Sequence, residues 1–349
     1  MSDKTIEMLK FRGYWQNPNC ILDNVNNIDG ICYDESSTNE PIIIDSVVAY
    51  LDTILKYFDD NPTMLFRGHS NMDYLLSPSV YRGSNFENEN LLYNEAILRT
   101  PHEFQNSASH LDYLVKMQHY CLPTRIIDLT DNPLIALYFA CCSDDCGDLY
   151  ENVDENIGEV IIFDAKNSDI KFSTSDSVAM MCSLATFSYE DKRSLRDLAQ
   201  KYGEEINKTL EKDGDISSII DAFNNDKTRK KVVSRLLGEI RQFRPSFTNE
   251  MNPLDLLGFR VVRAKRANER IINQAGSFIV FGLLSEGGCC QSIEDLRYKS
   301  NGKKNILLVK DKYKILKELH CIGISRSSVF PEIENTYIGI RKKLMNDYS

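Results

Sequence analysis

Apolar residues recur at steps of three and four through Val47, Val48, Leu51, Ile54, Leu55 and Phe58. This spacing predicts a helix over Ser46 to Phe58, capped by Asp45 or Ser46 and stopped at Asn61-Pro62. Thr63 to Arg67 reads as a short strand closed by Gly68, and Leu75 to Tyr81 as a loop around Pro78. Helical spacing returns at Asn88 to Leu98 and Leu111 to Met117, and Pro133 opens a further helix through Cys142 with Asp131 or Asn132 as cap. Gly158 to Phe163 is the clearest strand, followed by a helix from Asp176 to Leu184. Glu190 to Phe243 has helical periodicity and no strand signal, which predicts a helical insertion packed on the sheet rather than an autonomous domain. Phe259 to Val262, Ser277 to Leu283 and Ile306 to Val309 return to β character, before a helix at Lys312 to Leu319 and a C-terminal cap over Ser325 to Ile340. The expected organisation is α+β: an irregular lead-in at 1–45, a main domain at 46–340 with the insertion at 185–250, and a tail at 341–349.

The 349 residues are 42% hydrophobic and 26% charged, as expected of a packed globular chain. A formal charge of -10 argues against a protein that coats duplex nucleic acid. Two basic stretches oppose that average, Lys227 to Arg244 and Arg260 to Arg270; each is either a solvated helical face or a surface for single-stranded nucleic acid. The ten cysteines follow a polar start, Met1-Ser2-Asp3-Lys4, with no signal-peptide segment, so reduced thiols and a cytoplasmic location are expected. Cys141, Cys142 and Cys146, like Cys289-Cys290, lack a second ligand pair at zinc-site spacing, so no metal is expected. No apolar run approaches the roughly 18 residues of a membrane span, and no membrane association is expected.

Candidate chemistry sits in four segments. In Leu65-Phe66-Arg67-Gly68-His69 a strand delivers an arginine beside a glycine that permits a tight backbone path. Arg67 either aims its planar fork of donors at a phosphate or carboxylate in a cleft, or pairs with a core carboxylate such as Asp128. Gln118 to Thr130 sets polar groups in an apolar frame, where His119, Arg125 and Asp128 form either an architectural network around Pro123 or part of a site. Read as a strand, Asn268 to Phe278 sends Ile272 and Gln274 to one face and Ile271 and Asn273 to the other, with Gln274 facing the cleft of Arg67. Phe330 to Glu334 adds Glu332 and Glu334, which either serve the site or stay solvated. Ser173-Thr174-Ser175 precedes a helix and reads as its cap.

In this order, Phe66-Arg67-Gly68, the Gln118-His119-Tyr120 to Asp128 block with Pro123-Thr124-Arg125, and Ala136-Leu137-Tyr138-Phe139-Ala140 resemble the FRG domain. Arg270-Ile271, Gln274-Ala275-Gly276-Ser277-Phe278 and Phe330-Pro331 extend the resemblance, which runs from about Ser46 to Ile340. Phe11-Arg12-Gly13 repeats the tripeptide outside that span, without the later blocks. Two departures are Cys121, where the family commonly has glycine, and the long helical insert before Arg270. The same order is similar to that of ADP-ribosyltransferases, which implies a split mixed β-sheet with Arg67 on an NAD phosphate and a late-strand glutamate on the nicotinamide ribose. Aligned on Gly276, Arg270 takes the place of that acid, and Glu269, one residue off a strand, faces away unless a bulge intervenes. Gln274, Glu332 and Glu334 are the substitutes.

The resemblance implies that NAD is the co-substrate and that Arg67, His119, Glu269, Gln274 and Glu332 are catalytic. Arg67, Gly68, Tyr120, Arg125, Tyr138 and Phe278 would hold the dinucleotide: cations on its pyrophosphate, rings on nicotinamide. Cleavage of the nicotinamide bond passes through an oxocarbenium-like ribose that needs negative charge beside it. The implied setting is a bacterial toxin or phage-defence effector that modifies RNA or protein, with a protein antitoxin or regulator as partner. Two other classes fit the residues: a non-catalytic nucleotide- or phosphate-recognition module built on Arg67 and Arg125, and a nuclease or other hydrolase using His119 with a carboxylate.

Overall fold

The computed structural model describes residues 14–16, 25–28, 31–58, 64–142, 155–165, 170–263, 265 and 269–331. Its strands are β1 (Tyr14–Gln16), β2 (Val25–Ile28), β3 (Ile31–Asp34), β4 (Ile42–Ile44), β5 (Met64–His69), β6 (Ile126–Thr130), β7 (Gly158–Asp164), β8 (Ile170–Phe172), β9 (Phe259–Arg263), β10 (Gly276–Phe281), β11 (Lys299–Ser300), β12 (Lys303–Lys304) and β13 (Leu307–Val309). Eight of them form one mixed sheet in the order β4-β13-β7-β5-β6-β10-β9-β8, beside a three-stranded sheet β1-β3-β2 and the β11-β12 pair. The chain is therefore a mixed α/β protein built on one large sheet. Among the described residues, no helix is long and apolar enough to cross a membrane.

Strand alternation assigns the core. Met64 and Phe66 of β5 share a face with Val160, Ile162, Leu307 and Val309, and meet the helices Val47–Phe58, Pro133–Cys141 and Lys312–Cys321. Because Phe66 pairs with Thr130 and Phe278 with Asp128, the same face continues through Ile126, Phe278 and Val280. There it is covered by the helices Glu89–Arg99, His110–His119 and Asp176–Ser183. Leu65, Ile161, Phe163, Ile127, Leu129 and Phe281 line the opposite face under Leu76, Val80, Tyr81 and Ile293. Helices at 47–58, 110–119 and 312–321 fall close to where apolar spacing places them, each burying one stripe, whereas those at 133–141 and 176–183, also close to their expected places, are buried on most sides.

Gly68 corrects one expectation. The strand does not stop there but runs on to His69, paired with β7 through Gly68↔Val160 and His69↔Glu159. Alternation turns Gly68 toward the helix Pro133–Cys141, where a Cβ atom would lie 2.0 Å from the Ala136 carbonyl oxygen and 2.5 Å from the Ala140 nitrogen. The glycine thus serves a close helix approach rather than a turn.

Between β8 and β9, the helices Tyr189–Leu210, Ser217–Asn224 and Lys230–Phe243 surround a cluster of their own, including Leu195, Leu198, Phe223 and Leu236. That cluster continues into Met180 and Leu283, which tie it to the rest of the chain. β8 pairs with β9 in parallel, Ile170 opposite Val261.

His110 lies in the seam between these helices and the sheet. Tyr93 Oη donates to His110 Nδ1 at 2.8 Å, His110 Nε2 faces the Glu239 carbonyl at 3.4 Å, and its ring stands edge-on to Phe243 at 4.7 Å between centroids. This is a neutral imidazole with its proton on Nε2. Burial pushes its pKa down from 6.5 to about 4, partly opposed by the Glu239 carbonyl. An unfolded chain takes up a proton at this side chain near pH 6.5, whereas the folded chain resists until about pH 4, so stability is complete above that window and falls as pH drops through it. The expected loss by pH 4.5 is about 2.5 kcal/mol from this residue, at 1.36 kcal/mol per pH unit. Urea midpoints at pH 7 and pH 4.5 check this: His110→Gln is expected to remove most of that difference, and a His110→Gln protein with wild-type acid sensitivity would refute the assignment.

Candidate functional site

β5 and β6 share a single register pair, Phe66 with Thr130, so the ladder opens immediately beyond Phe66. Arg67 stands at that opening. Its Nη1 donates to the Asp128 carbonyl at 2.7 Å across the gap, and its Nε donates to His69 Nε2 at 2.9 Å. Accepting from a guanidinium makes His69 the neutral tautomer with its proton on Nδ1. Burial lowers the Arg67 pKa, while the Asp128 carboxylate opposes that shift. The guanidinium is half-buried and held by a carbonyl and an imidazole, so it is neither salt-linked in the core nor fully free.

Asp128 connects Arg67 to the next segment. Its Oδ2 accepts from Gln118 Nε2 at 2.6 Å, and Gln118 Oε1 accepts from Thr124 Oγ1 at 2.5 Å. The helix His110–His119 then ends in a Schellman motif: Cys121 N–H bonds the Gln118 carbonyl and Leu122 N–H the Met117 carbonyl, both at 3.0 Å. Cys121 occupies the left-handed position, φ 60°, which explains why glycine suits that site.

This helix end opens into a pocket of about 310 Å³ lined by Glu103, Lys116, His119, Tyr120, Glu269, Arg270 and Pro331. His119, Tyr120 and Glu269, read from distant stretches of sequence, therefore meet. Glu269 reaches the pocket because Glu269–Asn273 is a short helix, not a strand, so the expected alternation of Ile272 and Gln274 against Ile271 and Asn273 does not hold. Arg270 Nη1 donates to the His119 carbonyl at 3.4 Å and its guanidinium lies 4.6 Å from the Phe330 ring centroid. Tyr120 Oη donates to Glu103 Oε2 at 3.2 Å, and Lys116 Nζ to the Glu103 carbonyl. Lys116 was legible in principle, since it precedes His119 by three residues and shares its helix face. Glu103, on the short helix Pro101–Phe104, carried no signal.

Other candidate residues lie elsewhere. Arg125 is fully buried: Nε donates to Glu89 Oε1 at 2.8 Å, Nη2 to Glu89 Oε2, and Nη1 to the Phe281 and Gly282 carbonyls at 3.1 and 3.3 Å. Lys192 Nζ completes the cluster at 2.6 Å from Glu89 Oε2. Arg125 is thus an architectural cation, and its partner is Glu89 rather than Asp128. Tyr138 and Phe278 are core side chains, 1% and 2% exposed, with no face for nicotinamide. Gly68 faces a helix. Gln274 Nε2 donates to the Val329 carbonyl at 3.3 Å and Thr130 Oγ1 to the Gln274 carbonyl at 2.6 Å, so Gln274 braces the entry to β10 against the end of β6 rather than meeting Arg67. Arg67 does not line the His119 pocket; it reaches that helix through Asp128 and Gln118. Glu332 and Glu334 lie outside the described residues. Among the described residues, no group of three or more His, Cys, Asp or Glu side chains is placed to hold a metal ion.

Residues 62–148 match the family model of the FRG domain. That span holds β5, β6, the helix His110–His119 with its Schellman end, and the helix Pro133–Cys141. Neither the curated proteins nor the solved structures contain a match to this chain.

Proposed function

Since residues 62–148 form an FRG domain, we propose that this domain works with the segment around Glu269 as an NAD-dependent ADP-ribosyltransferase. The observation that supports this reading is the meeting of His119, Tyr120 and Glu269 with two cations, Lys116 and Arg270, in one open pocket. Lys116 and Arg270 supply positive charge for a diphosphate, the exposed Tyr120 ring supplies an apolar face, and Glu269 supplies negative charge for a developing ribosyl cation. A volume near 310 Å³ suits a nucleoside-sized group, with the remainder of the dinucleotide over the rim. In the reaction the bond from ribose C1′ to nicotinamide breaks with its electron pair going to nicotinamide. An acceptor nucleophile in RNA or protein bonds to C1′ and gives its proton to His119 or Glu269.

Purified protein mixed with NAD labelled in its adenylate phosphate, and with cellular RNA or protein, is expected to label one of them. Glu269→Gln is expected to lower transfer at least ~100-fold with NAD binding kept within about threefold, as for loss of a charge that acts in the transition state. Labelling that survives Glu269→Gln sinks the assignment of this pocket.

A second reading is a recognition module that holds a nucleotide without cleaving it. The engagement of Arg67 by the Asp128 carbonyl and His69 favours it, because the arginine of the motif then braces the sheet opening instead of gripping a phosphate. NAD binding by the wild-type chain with no nicotinamide release decides for this second reading.

A further inference from the structure

A separate cavity of about 320 Å³ lies between the helical segment and the sheet domain, away from the His119 pocket. Its apolar wall includes Leu111, Val178, Ile240 and Phe243, and its polar side includes Ser173, Thr174 and Arg244. The Phe243 ring belongs to an aromatic cluster, 4.7 Å from His110 and 5.8 Å from Tyr113, and Tyr113 stacks on Phe104 at 5.1 Å. Next along the chain, Arg244 Nη2 pairs with the exposed Asp176 at 2.9 Å. The Arg244 side chain is 31% exposed and its carboxylate partner 62% exposed, so an anion in the cavity competes with Asp176 for the guanidinium. The Ser173-Thr174 pair, which reads as part of a helix cap, lines the same cavity, and the cap residue Ser175 makes no side-chain cap hydrogen bond.

We propose that this cavity binds a small aromatic carboxylate, with its charged end on the Arg244 guanidinium and the Ser173 and Thr174 hydroxyls and its ring against Phe243, Ile240 and Val178. The volume lies at the small end of the range for small-molecule sites and matches one or two fused rings. Its walls come from the sheet domain's helix His110–His119, from Asp176–Ser183 and from Lys230–Phe243, so a bound ligand holds the helical segment to the sheet. The site stands independently of the NAD reading.

The probes are benzoate and naphthalene-2-carboxylate, their neutral carboxamides and inorganic phosphate, followed by calorimetry and thermal shift on the full chain. At least one carboxylate is expected to bind saturably and raise Tm, with its carboxamide at least about tenfold weaker. Arg244→Met is expected to weaken the carboxylate by about tenfold or more, and Asp176→Asn, at an exposed position, to tighten it by removing the competing carboxylate. Ala179→Leu, which fills the cavity, abolishes binding. The proposal is overturned by carboxamides that bind as well as the acids, by binding that survives Ala179→Leu, by phosphate binding more tightly than either carboxylate, or by no binding of either carboxylate at millimolar concentration.

Discussion

Glu89→Ala is expected to lower the stability of the chain by about 3 to 5 kcal/mol, the cost of leaving buried charge without its partner. Glu89 accepts from Arg125 at Nε and Nη2 and from Lys192 at Nζ, and all three side chains are at most 2% exposed. Burial pushes the Glu89 carboxyl up, but Arg125 and Lys192 outweigh it and hold the pKa below the ordinary value. Burial depresses Lys192 to about 8 despite Glu89 beside it, so the lysine is the weaker partner and sheds its proton most readily once the carboxylate is gone. Arg125 cannot do so, and it keeps two backbone carbonyls as its remaining acceptors. The three residues come from the helix Glu89–Arg99, the entry to β6 and the helix Tyr189–Leu210, so this cluster joins the helical segment to the sheet. Urea denaturation at pH 7 measures the loss. A change below about 1 kcal/mol would show that the cluster contributes no more than a surface pair.

Gly68→Ala should cost about 3 kcal/mol or more, although it adds one methyl group. The Cβ would sit 2.0 Å from the Ala136 oxygen, 2.5 Å from the Ala140 nitrogen and 2.8 Å from the Phe139 Cβ. Two of these are backbone atoms, so no rotamer change relieves the overlap and the helix Pro133–Cys141 must lift from the sheet. Gly158 on β7 meets the same helix, with a Cβ position 2.2 Å from the Ala140 oxygen, so the helix rests in a groove made by two adjacent strands. Gly238 provides the contrast: it lies within the helix Lys230–Phe243 with nothing within 4 Å of its Cβ position, and Gly238→Ala is expected to stabilise by roughly 0.5 to 1 kcal/mol. Equal effects of the two substitutions would refute the role given to Gly68.

Helix positions were legible wherever a single apolar stripe meets the core, as at 47–58 and 312–321, because helical spacing alone encodes that burial, while the helix at 133–141, buried on most sides, was legible from Asn132 and Pro133 at its start. The end of β5 was misread because glycine after arginine looks like a chain reversal, whereas its cause is a helix some 70 residues downstream in sequence. Glu269 was displaced for a related reason: the pair Ile271-Ile272 has strand character, and five residues are too few for helical spacing to declare itself. Arg125 was recognised as a polar group needing a partner, but Glu89 and Lys192 sit 36 residues before it and 67 after it, with no local pattern linking them. The convergence of His119 and Tyr120 with Glu269 rests on long-range packing of that same kind, which residue types suggest but spacing does not encode.

The direction of the last two strands at one edge of the sheet gives the helices at 189–243 an additional meaning. β8 and β9 run the same way, so the chain leaving Phe172 must travel back along the full strand length before it enters Phe259. Those helices are the return path. A chain shortened here to a tight turn could set the two strands side by side only by reversing one of them, which would exchange every inward side chain of that border for a new register. Trimming this region is therefore a change of topology, and a version of the protein without it needs a different sheet edge.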